Sequence, residues 1–460
     1  MALPPDPPGP PTSADPGDAA EPGDGPGSER APLPEGTIPV GIALLIAGVA
    51  TYAFFKVGNI AVGGDEEFKP ITSLWFATFL LAPGFFLPLE QELGRALAHR
   101  RALGQGTRPV IRKVVMLGVL LTVLVIAVIG VFSPLIAGSY FDGDWFMVVA
   151  LVLGFAAYAP AHLARGVCSG SGRFRDYAII MGSDGVVRIV LCVALAVVGI
   201  TAAGAYGLAV AISPLFAVAF VYRRGGLAAE DGPPAAWAEV TPNLGWLLLG
   251  SVFAASLLNA GPIAASLLAS DDQDALVTQF SYGVLLARIP LFLFQAVQAA
   301  LLPRLSRLAA RGELDEFRAG LQRLMLVVLA VGAVGTSGAF VLGPWAIEVV
   351  YDASLSGRTL ALLAFSSACY MVALATAQAV IALKGHALVA LGWGVGVVAF
   401  LLGTWLSSDE VFRRVEIGLL ASSIGAMLSF GLALRHKLVS GAVPDQDSLM
   451  DAITDMPFES

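Results

Sequence analysis

The sequence predicts an all-α integral membrane protein with about twelve transmembrane helices. Hydrophobic residues make up 57% of the 460 residues and charged residues only 13%, whereas soluble domains carry about 25% charged residues. The apolar residues form runs of about 20 residues, the length that a helix needs to cross a ~30 Å hydrocarbon core. A transmembrane β-barrel would instead require segments of alternating polarity of about 10 residues. The sequence contains none, so helices are the predicted spanning structure.

Twelve apolar runs follow one another along the chain. We place them at 37–62, 71–90, 113–137, 144–165, 176–199, 201–222, 242–269, 276–302, 322–343, 358–383, 386–406 and 413–434. The helix count depends most on two short breaks, near Thr201 and near Gly385. Residues 1–36 are rich in Pro, Gly, Asp and Glu and are predicted to be a disordered cytoplasmic tail. They lack the basic start and early apolar stretch of a signal peptide. Residues 438–460 form a polar, acidic cytoplasmic tail.

Basic residues are concentrated in alternate loops. Those loops contain Arg95, Arg100, Arg101, Arg108, Arg112, Lys113, Arg165, Arg173, Arg175, Arg223, Arg224, Arg304, Arg307, Arg311, Arg318, Arg323, Lys384, Arg435 and Lys437. The opposite loops have few basic residues and are often acidic, as at Asp65, Glu66, Glu67, Asp142, Asp144, Asp271, Asp272 and Asp274. Basic loops stay on the cytoplasmic side of a membrane. We therefore predict a protein of the bacterial cell membrane with both termini in the cytoplasm. The pattern also favours an even number of helices.

The two halves of the sequence resemble each other. The second run ends in Leu87-Pro88 and the eighth in Leu302-Pro303, and an arginine-rich amphipathic stretch follows each of them. The fourth and tenth runs carry similarly placed aromatic residues, which are Phe155, Tyr158, Phe365 and Tyr370. Internal repeats of this kind are common in transporters. We therefore predict two pseudo-symmetric six-helix bundles, 37–222 and 242–437, joined by a cytoplasmic linker at 223–241.

Three stretches resemble one protein family. They are Leu87-Pro88-Leu89-Glu90-Gln91-Glu92, Ala164-Arg165-Gly166-Val167 through Ser171-Gly172-Arg173-Phe174, and Ala287-Arg288-Ile289-Pro290 through Leu301-Leu302-Pro303-Arg304-Leu305-Ser306. They are similar to the polysaccharide (oligosaccharide) flippases of the MOP superfamily, which also contains the MATE multidrug exporters and the lipid II flippases. The resemblance covers about residues 37–437. Lipid II flippases have fourteen helices, so a count of twelve argues against that branch.

The resemblance implies a MATE-like pair of six-helix lobes around a central, often cationic cavity. It implies alternating-access transport of a polyprenyl-diphosphate-linked oligosaccharide across the cytoplasmic membrane, for cell-surface polysaccharide assembly. The implied partners are the lipid-linked substrate, the bilayer, and glycosyltransferases and a polymerase of the same pathway. No cofactor, metal or nucleic acid is implied.

A cavity for an anionic head group needs cations, and three basic residues lie well inside the runs, away from their ends: Lys56, Arg188 and Arg288. A charged side chain at mid-membrane costs about 2.5–3.5 kcal/mol on insertion scales, so each requires an explanation. Lys56 shares a helix face with Tyr52 and Asn59, and we predict that this face lines the cavity. The alternative is a lysine that extends towards the membrane surface.

Arg288 lies in the longest polar stripe of any run, which also contains Ser281, Gln295 and Gln298. A guanidinium group donates several hydrogen bonds in a geometry suited to phosphate, so we assign Arg288, Gln295 and Gln298 to the cavity, with Asn259 as a further candidate. The alternative is a hydrogen-bond network that fixes helix packing. Asp184 and Arg188 are four residues apart and can pair. We predict a structural or gating pair there.

Two other functions remain open. A MATE-type exporter of cations requires carboxylates in the cavity, and Asp184 is the one acidic residue placed clearly inside a run. A glycosyltransferase that uses polyprenyl-phosphate sugars would require acidic residues in outer loops, as at Asp65, Asp142 and Asp144. The sequence has no Walker A motif and no metal-like spacing of Cys168, Cys192 and Cys369. We therefore predict a transporter with no catalytic residues.

Overall fold

A computed structural model describes residues 37–240, 244–291, 294, 305, 308–309 and 311–439. The described residues form helices and contain no strand. In chain order the helices are α1 (Thr37–Val62), α2 (Asp65–Ala102), α3 (Arg108–Tyr140), α4 (Trp145–Gly170), α5 (Phe174–Val198), α6 (Ala203–Arg223), α7 (Leu244–Leu268), α8 (Asp274–Ala287), α9 (Leu314–Val341), α10 (Gly343–Tyr351), α11 (Gly357–Ala382), α12 (His386–Leu406) and α13 (Val411–Val439).

The helices confirm the predicted fold class. Within the described residues, eleven helices are long and apolar enough to cross a membrane, and they coincide with eleven of the twelve predicted runs. The remaining run, 276–302, begins as α8, and most of its second half lies outside the described residues. The breaks near Thr201 and Gly385 are present, between α5 and α6 and between α11 and α12. The chain is a multi-pass membrane protein.

Helix α2 is longer than the predicted run 71–90, because it begins at Asp65 and ends at Ala102. The predicted loop residues Asp65, Glu66 and Glu67 form its first turn, where carboxylates stabilise the positive end of the helix dipole. Beyond the run, the helix continues because apolar side chains at helical spacing remain buried against its neighbours. These side chains are Leu93, Ala96 and Leu97.

Two further differences lie in the second half. Helix α9 begins at Leu314, so Arg318 and Arg323 are helical rather than part of the predicted loop. The short helix α10 was not predicted, because nine residues are too few for an apolar run that spans the membrane. The predicted tails lie outside the described residues, except that Leu438 and Val439 end α13.

Helices α1–α6 pack mainly against one another, and so do α7–α13. We call these groups the first half and the second half. Helix α2 joins them, because it packs along α7 and also contacts α8. At Gly84 of α2 an added Cβ would lie 3.2 Å from the Cα of Val252 on α7, so a small residue permits this close approach.

The helix bundle has two ends, which we name by residues of α2. The Asp65 end is where α1 finishes and α2 begins, and the Arg100 end is where α2 finishes. Both described chain ends lie at the Arg100 end. Helix α1 starts there, and the last turn of α13 returns there, since Lys437 lies close to Gly385 at the start of α12. Helix α12 in turn begins beside the start of α7, where a Cβ on Gly250 would lie 3.5 Å from the Cα of Ala390.

The linker between α6 and α7 is bound to the first half at the Arg100 end. Arg108 donates to both carboxylate oxygens of Asp231, at 2.8 and 2.7 Å. The fully buried Arg100 donates to the carboxylate of Glu239, at 2.8 and 3.2 Å. Further donors to linker carbonyl groups are Arg95, Lys113 and Arg173. The described part of the linker is therefore held by basic residues of the first half.

Candidate functional site: a polar seam between the two halves

Arg288 directly follows α8 and is buried where three helices meet, with 7% of its surface exposed. One guanidinium nitrogen donates to the side-chain oxygen of Asn259 on α7 at 3.0 Å, and another donates to the Leu258 carbonyl. The ring of Phe76 on α2 lies 5.3 Å from the guanidinium carbon. No carboxylate of the described residues forms an ion pair with Arg288. A positive charge is therefore buried among neutral partners, between the two halves.

A cavity of about 30 Å³ lies beside this guanidinium, within the second half. Tyr370 and three serines contribute hydroxyl groups to its wall, and the rest of the lining is largely apolar. The serines are Ser366, Ser367 and Ser423. Hydroxyl groups donate and accept hydrogen bonds, and in this conformation Tyr370 donates to the Ala254 carbonyl at 3.1 Å while the Ser366 and Ser423 hydroxyl oxygens lie 3.2 Å apart. A cavity of this volume has room for a few water molecules but not for an oligosaccharide.

The predicted polar face of α1 contacts α8 across the boundary between the two halves, which we call the seam. The Tyr52 hydroxyl donates to the Leu285 carbonyl at 3.1 Å, and the Asn59 amide donates to the Tyr282 hydroxyl at 2.8 Å. Lys56 lies between Tyr52 and Asn59 on α1 and is half-buried. It forms no hydrogen bond or ion pair with any described residue. The structure thus places Tyr52, Asn59, Asn259 and Arg288 along one seam.

The Asp65 end of the seam contains a set of polar contacts that the sequence did not indicate. One Asp65 carboxylate oxygen accepts from Asn59 at 2.7 Å and from Tyr282 at 3.1 Å. The other accepts from Gln279 at 2.9 Å, and the Asp65 carbonyl accepts from Thr278 at 2.7 Å. We call these five residues the Asp65 cluster. Three of them belong to α8, so the cluster joins the two halves.

Lys69, one turn further along α2, also links α2 to α8, in this case through ion pairs. Its ammonium group lies 2.8 Å from both carboxylate oxygens of Asp142 and 2.9 Å from Asp274, the first residue of α8. Lys69 is only 4% exposed. We call these three residues the Lys69 triad. The predicted outer-loop residues Asp65 and Asp142 therefore bind neighbouring helices.

Asp184 and Arg188 form an ion pair inside the first half, with a nitrogen–oxygen distance of 2.5 Å. The same Asp184 oxygen lies 3.3 Å from the Tyr158 hydroxyl, and its other oxygen accepts from Ser213 at 2.6 Å. The Arg188 guanidinium carbon lies 4.6 Å from the ring centre of Trp75, a favourable cation–π contact. The Asp184 carboxylate is thus neutralised and hydrogen-bonded on both oxygens.

Two predicted cavity residues, Gln295 and Gln298, lie outside the described residues. Ser281, which shares their predicted stripe, is fully buried and donates to the Val277 carbonyl of its own helix at 2.9 Å.

No protein-family model matches this chain. The curated relatives are uncharacterized proteins. One from Mycobacterium bovis is 26% identical over 370 residues, which cover 77% of this chain and 81% of the relative. One from Mycobacterium tuberculosis is 26% identical over 425 residues, which cover 88% of this chain and 94% of the relative.

Solved structures decide the fold. A mutant MATE transporter of Vibrio cholerae superposes with a TM-score of 0.62 at 15% identity, covering 90% of this chain and 98% of that one. An inward-facing multidrug resistance MATE family transporter of the MOP superfamily superposes with a TM-score of 0.61 at 13% identity, covering 90% and 96%. The chain has the MATE transporter fold. At such identities the likeness is one of fold alone.

Within this MATE fold, a second buried ionic cluster lies at the Arg100 end of the first half. Glu90 of α2 accepts from Arg165 at 2.8 Å, lies 2.8 Å from a ring nitrogen of His162, and accepts from Tyr177 at 3.0 Å. Glu90 and Arg165 belong to the motifs that resemble the MOP flippases, whereas the sequence did not link His162 to them. The cluster joins α2, α4 and α5.

Asp144, one of the predicted outer-loop acids, has a structural role in the MATE fold. Asp144 caps α4 by accepting from the Phe146 backbone amide at 2.8 Å. Across the described residues, no group of three His, Cys, Asp or Glu side chains could hold a metal ion. Cys168, Cys192 and Cys369 are free thiols and are buried.

Proposed function

We propose that the protein is an alternating-access transporter that moves a polyprenyl-diphosphate-linked oligosaccharide across the membrane. The observation that supports this most directly is the buried Arg288. Its guanidinium lies about midway along the membrane-spanning helices and has hydrogen-bond partners but no anionic partner among the described residues. A charge in this position is expensive, and an anionic ligand that arrives between the halves would compensate it.

The surroundings of Arg288 suit a diphosphate head group. Arginine donates to phosphate oxygens through a planar fork, and Asn259 and Tyr370 supply further polar groups beside it. Half-buried Lys56 adds a second cation on the facing helix α1. The substrate must enter when the halves separate, because the cavity of about 30 Å³ is too small for it.

The alternative is a MATE-type exporter of small molecules. It is favoured by the fold itself, since one solved structure with this fold is described as a multidrug resistance transporter. Against a cationic substrate stands Asp184, whose carboxylate is occupied by Arg188, Tyr158 and Ser213. No described carboxylate, Asp184 included, lines the cavity beside Arg288.

The test is translocation of a lipid-linked oligosaccharide in proteoliposomes, measured by its accessibility to a membrane-impermeant glycosidase. We expect Arg288→Ala to reduce the rate about tenfold or more, because hydrogen bonds to charged groups contribute about 1.5–3 kcal/mol each. Arg288→Lys should retain an intermediate rate, since the charge remains but the fork is lost.

Arg318→Ala is the matched control. Arg318 is a half-exposed arginine that pairs with the exposed Asp315 at 3.0 Å, so its removal should leave the rate unchanged. Wild-type rates in both Arg288→Ala and Lys56→Ala would contradict the cationic head-group site. Efflux of a cationic dye, with no translocation of the glycolipid, would favour the exporter instead.

A further inference from the structure

We propose that Asp65 and Lys69 form the gate that closes the transporter at the Asp65 end, and that the structure is the state in which this gate is shut. This inference rests on the alternating-access transport proposed above. It names the residues that hold the Asp65 end closed, and it assigns the described conformation to the state that is closed at that end.

The first observation is the position of the polar contacts between the halves. Asp65 of the first half binds Thr278, Gln279 and Tyr282 of the second. The Asp65 carboxylate has no ion-pair partner within the described residues, so three neutral donors, Asn59, Gln279 and Tyr282, stabilise its charge. Hydrogen bonds to a charged acceptor are about twice as strong as neutral ones, and those from Gln279 and Tyr282 form only while α2 and α8 remain in contact.

The second observation is the burial of Lys69. The side chain is 4% exposed and lies between Asp142, which precedes α4, and Asp274, which begins α8. Removing one partner of a buried ion pair leaves an uncompensated charge. Separation of α8 from α2 would break the contact with Asp274 while Asp142, also of the first half, could remain bound. The triad therefore favours the closed arrangement without preventing opening.

The third observation is the difference between the two ends of the seam. At the Asp65 end, the neighbouring Ser73 and Ser266 are buried and their hydroxyl oxygens lie 2.9 Å apart across α2 and α7. Towards the Arg100 end, α1 packs instead against α5 of its own half, where a Cβ on Gly182 would lie 3.4 Å from the Cα of Ala43 and a Cβ on Gly185 would lie 3.1 Å from the Cα of Ala47. The contacts between α1 and the second half are thus concentrated towards the Asp65 end.

The test measures access to the seam directly and needs no substrate. In a variant with Cys168, Cys192 and Cys369 replaced by Ala, Ser266→Cys provides a single thiol at the seam. Cells are treated with a membrane-impermeant maleimide from outside, the side that the predicted topology gives to the Asp65 end. We expect slow labelling in this parent and about tenfold faster labelling when Asp65→Ala or Lys69→Ala is added.

Glu66→Ala is the control, because Glu66 lies in the same helical turn and is exposed. It should leave the labelling rate unchanged. A parallel set keeps the fully buried Cys168 as the single thiol, and this thiol must remain protected if the variants are folded. Equal labelling rates in the parent and both gate variants would overturn the proposal, as would an equal increase with Glu66→Ala. Neither outcome bears on the Arg288 translocation test, so the two proposals fail separately.

Discussion

At the residue scale, Glu90 illustrates how this bundle stabilises a charge inside its helices. The carboxylate is 5% exposed and is surrounded by Arg165, His162 and Tyr177. The charges of Glu90 and Arg165 compensate each other, because without the carboxylate the buried arginine would be an unpaired cation. The cluster therefore stabilises the packing of α2, α4 and α5 only while it is complete.

We predict that Glu90→Ala destabilises the protein by about 3–5 kcal/mol, since it leaves Arg165 buried without its anionic partner. The measurement is the midpoint of thermal unfolding of the detergent-solubilised protein. Asp315→Ala is the control, because it breaks the exposed Asp315–Arg318 pair and should change the midpoint little. Similar midpoints for the two variants would show that the Glu90 cluster contributes no more than a surface ion pair.

The same residues show what a single sequence can and cannot predict about a site. Asp184 and Arg188 were paired correctly because they lie one helical turn apart. Glu90 and His162 are separated by 72 positions, and Asp65 and Tyr282 by 217. Nothing local in the sequence relates such positions, so His162 was not among the predicted site residues and Asp65 was predicted to lie in a loop. Arg288 was singled out because a charge inside an apolar run is a local signal.

At the element scale, the crossing of α2 and α4 depends on a glycine. An added Cβ at Gly166 would lie 2.7 Å from the Glu90 carbonyl oxygen and 3.2 Å from its Cα. These are backbone atoms that cannot rotate away, so any side chain would separate the two helices. The close approach also brings Glu90 within reach of His162, one turn before Gly166 on α4, and of Arg165, the residue directly before Gly166.

Gly166→Ala is therefore expected to destabilise the protein by about 1–3 kcal/mol, the usual effect of overpacking. Gly130→Ala is the matched control in another membrane helix, because no atom lies within 4 Å of a Cβ built there. It should be neutral or slightly stabilising, since alanine restricts the unfolded chain. Thermal unfolding midpoints would separate the two variants, and an unchanged midpoint for Gly166→Ala would mean that the helices adjust without cost.

Helix positions were predictable because hydropathy is a property of contiguous residues. Runs 176–199 and 386–406 match α5 and α12 within two residues at either end. Helix ends that lie outside the apolar runs were not predictable, as α2 shows. Its extension to Ala102 depends on burial of Leu93 and Leu97 against other elements, which hydropathy does not report. The association of α2 with α7 likewise depends on contacts between distant segments.

At the scale of the whole molecule, the basic residues and the fold together predict an orientation. Thr37 and Val439 lie at the same end of the bundle as Arg100, and the basic residues of the alternate loops that the structure describes lie there as well. Some of these cations bind the linker, as Arg108 binds Asp231. Others, such as Arg112 and Arg224, remain exposed. Because exposed cations beside a membrane are retained in the cytoplasm, we expect the Arg100 end to face inward.

Fusions test this orientation. A fluorescent protein fused to the C-terminus should fluoresce, and alkaline phosphatase fused there should be inactive, because that enzyme requires an oxidising compartment. The same phosphatase fused in place of the chain after Gly143, in the loop between α3 and α4 at the Asp65 end, should be active. The reverse result would place the Asp65 end in the cytoplasm. The Asp65 cluster would then close the inner side of the seam, and Arg288 would be reached from outside.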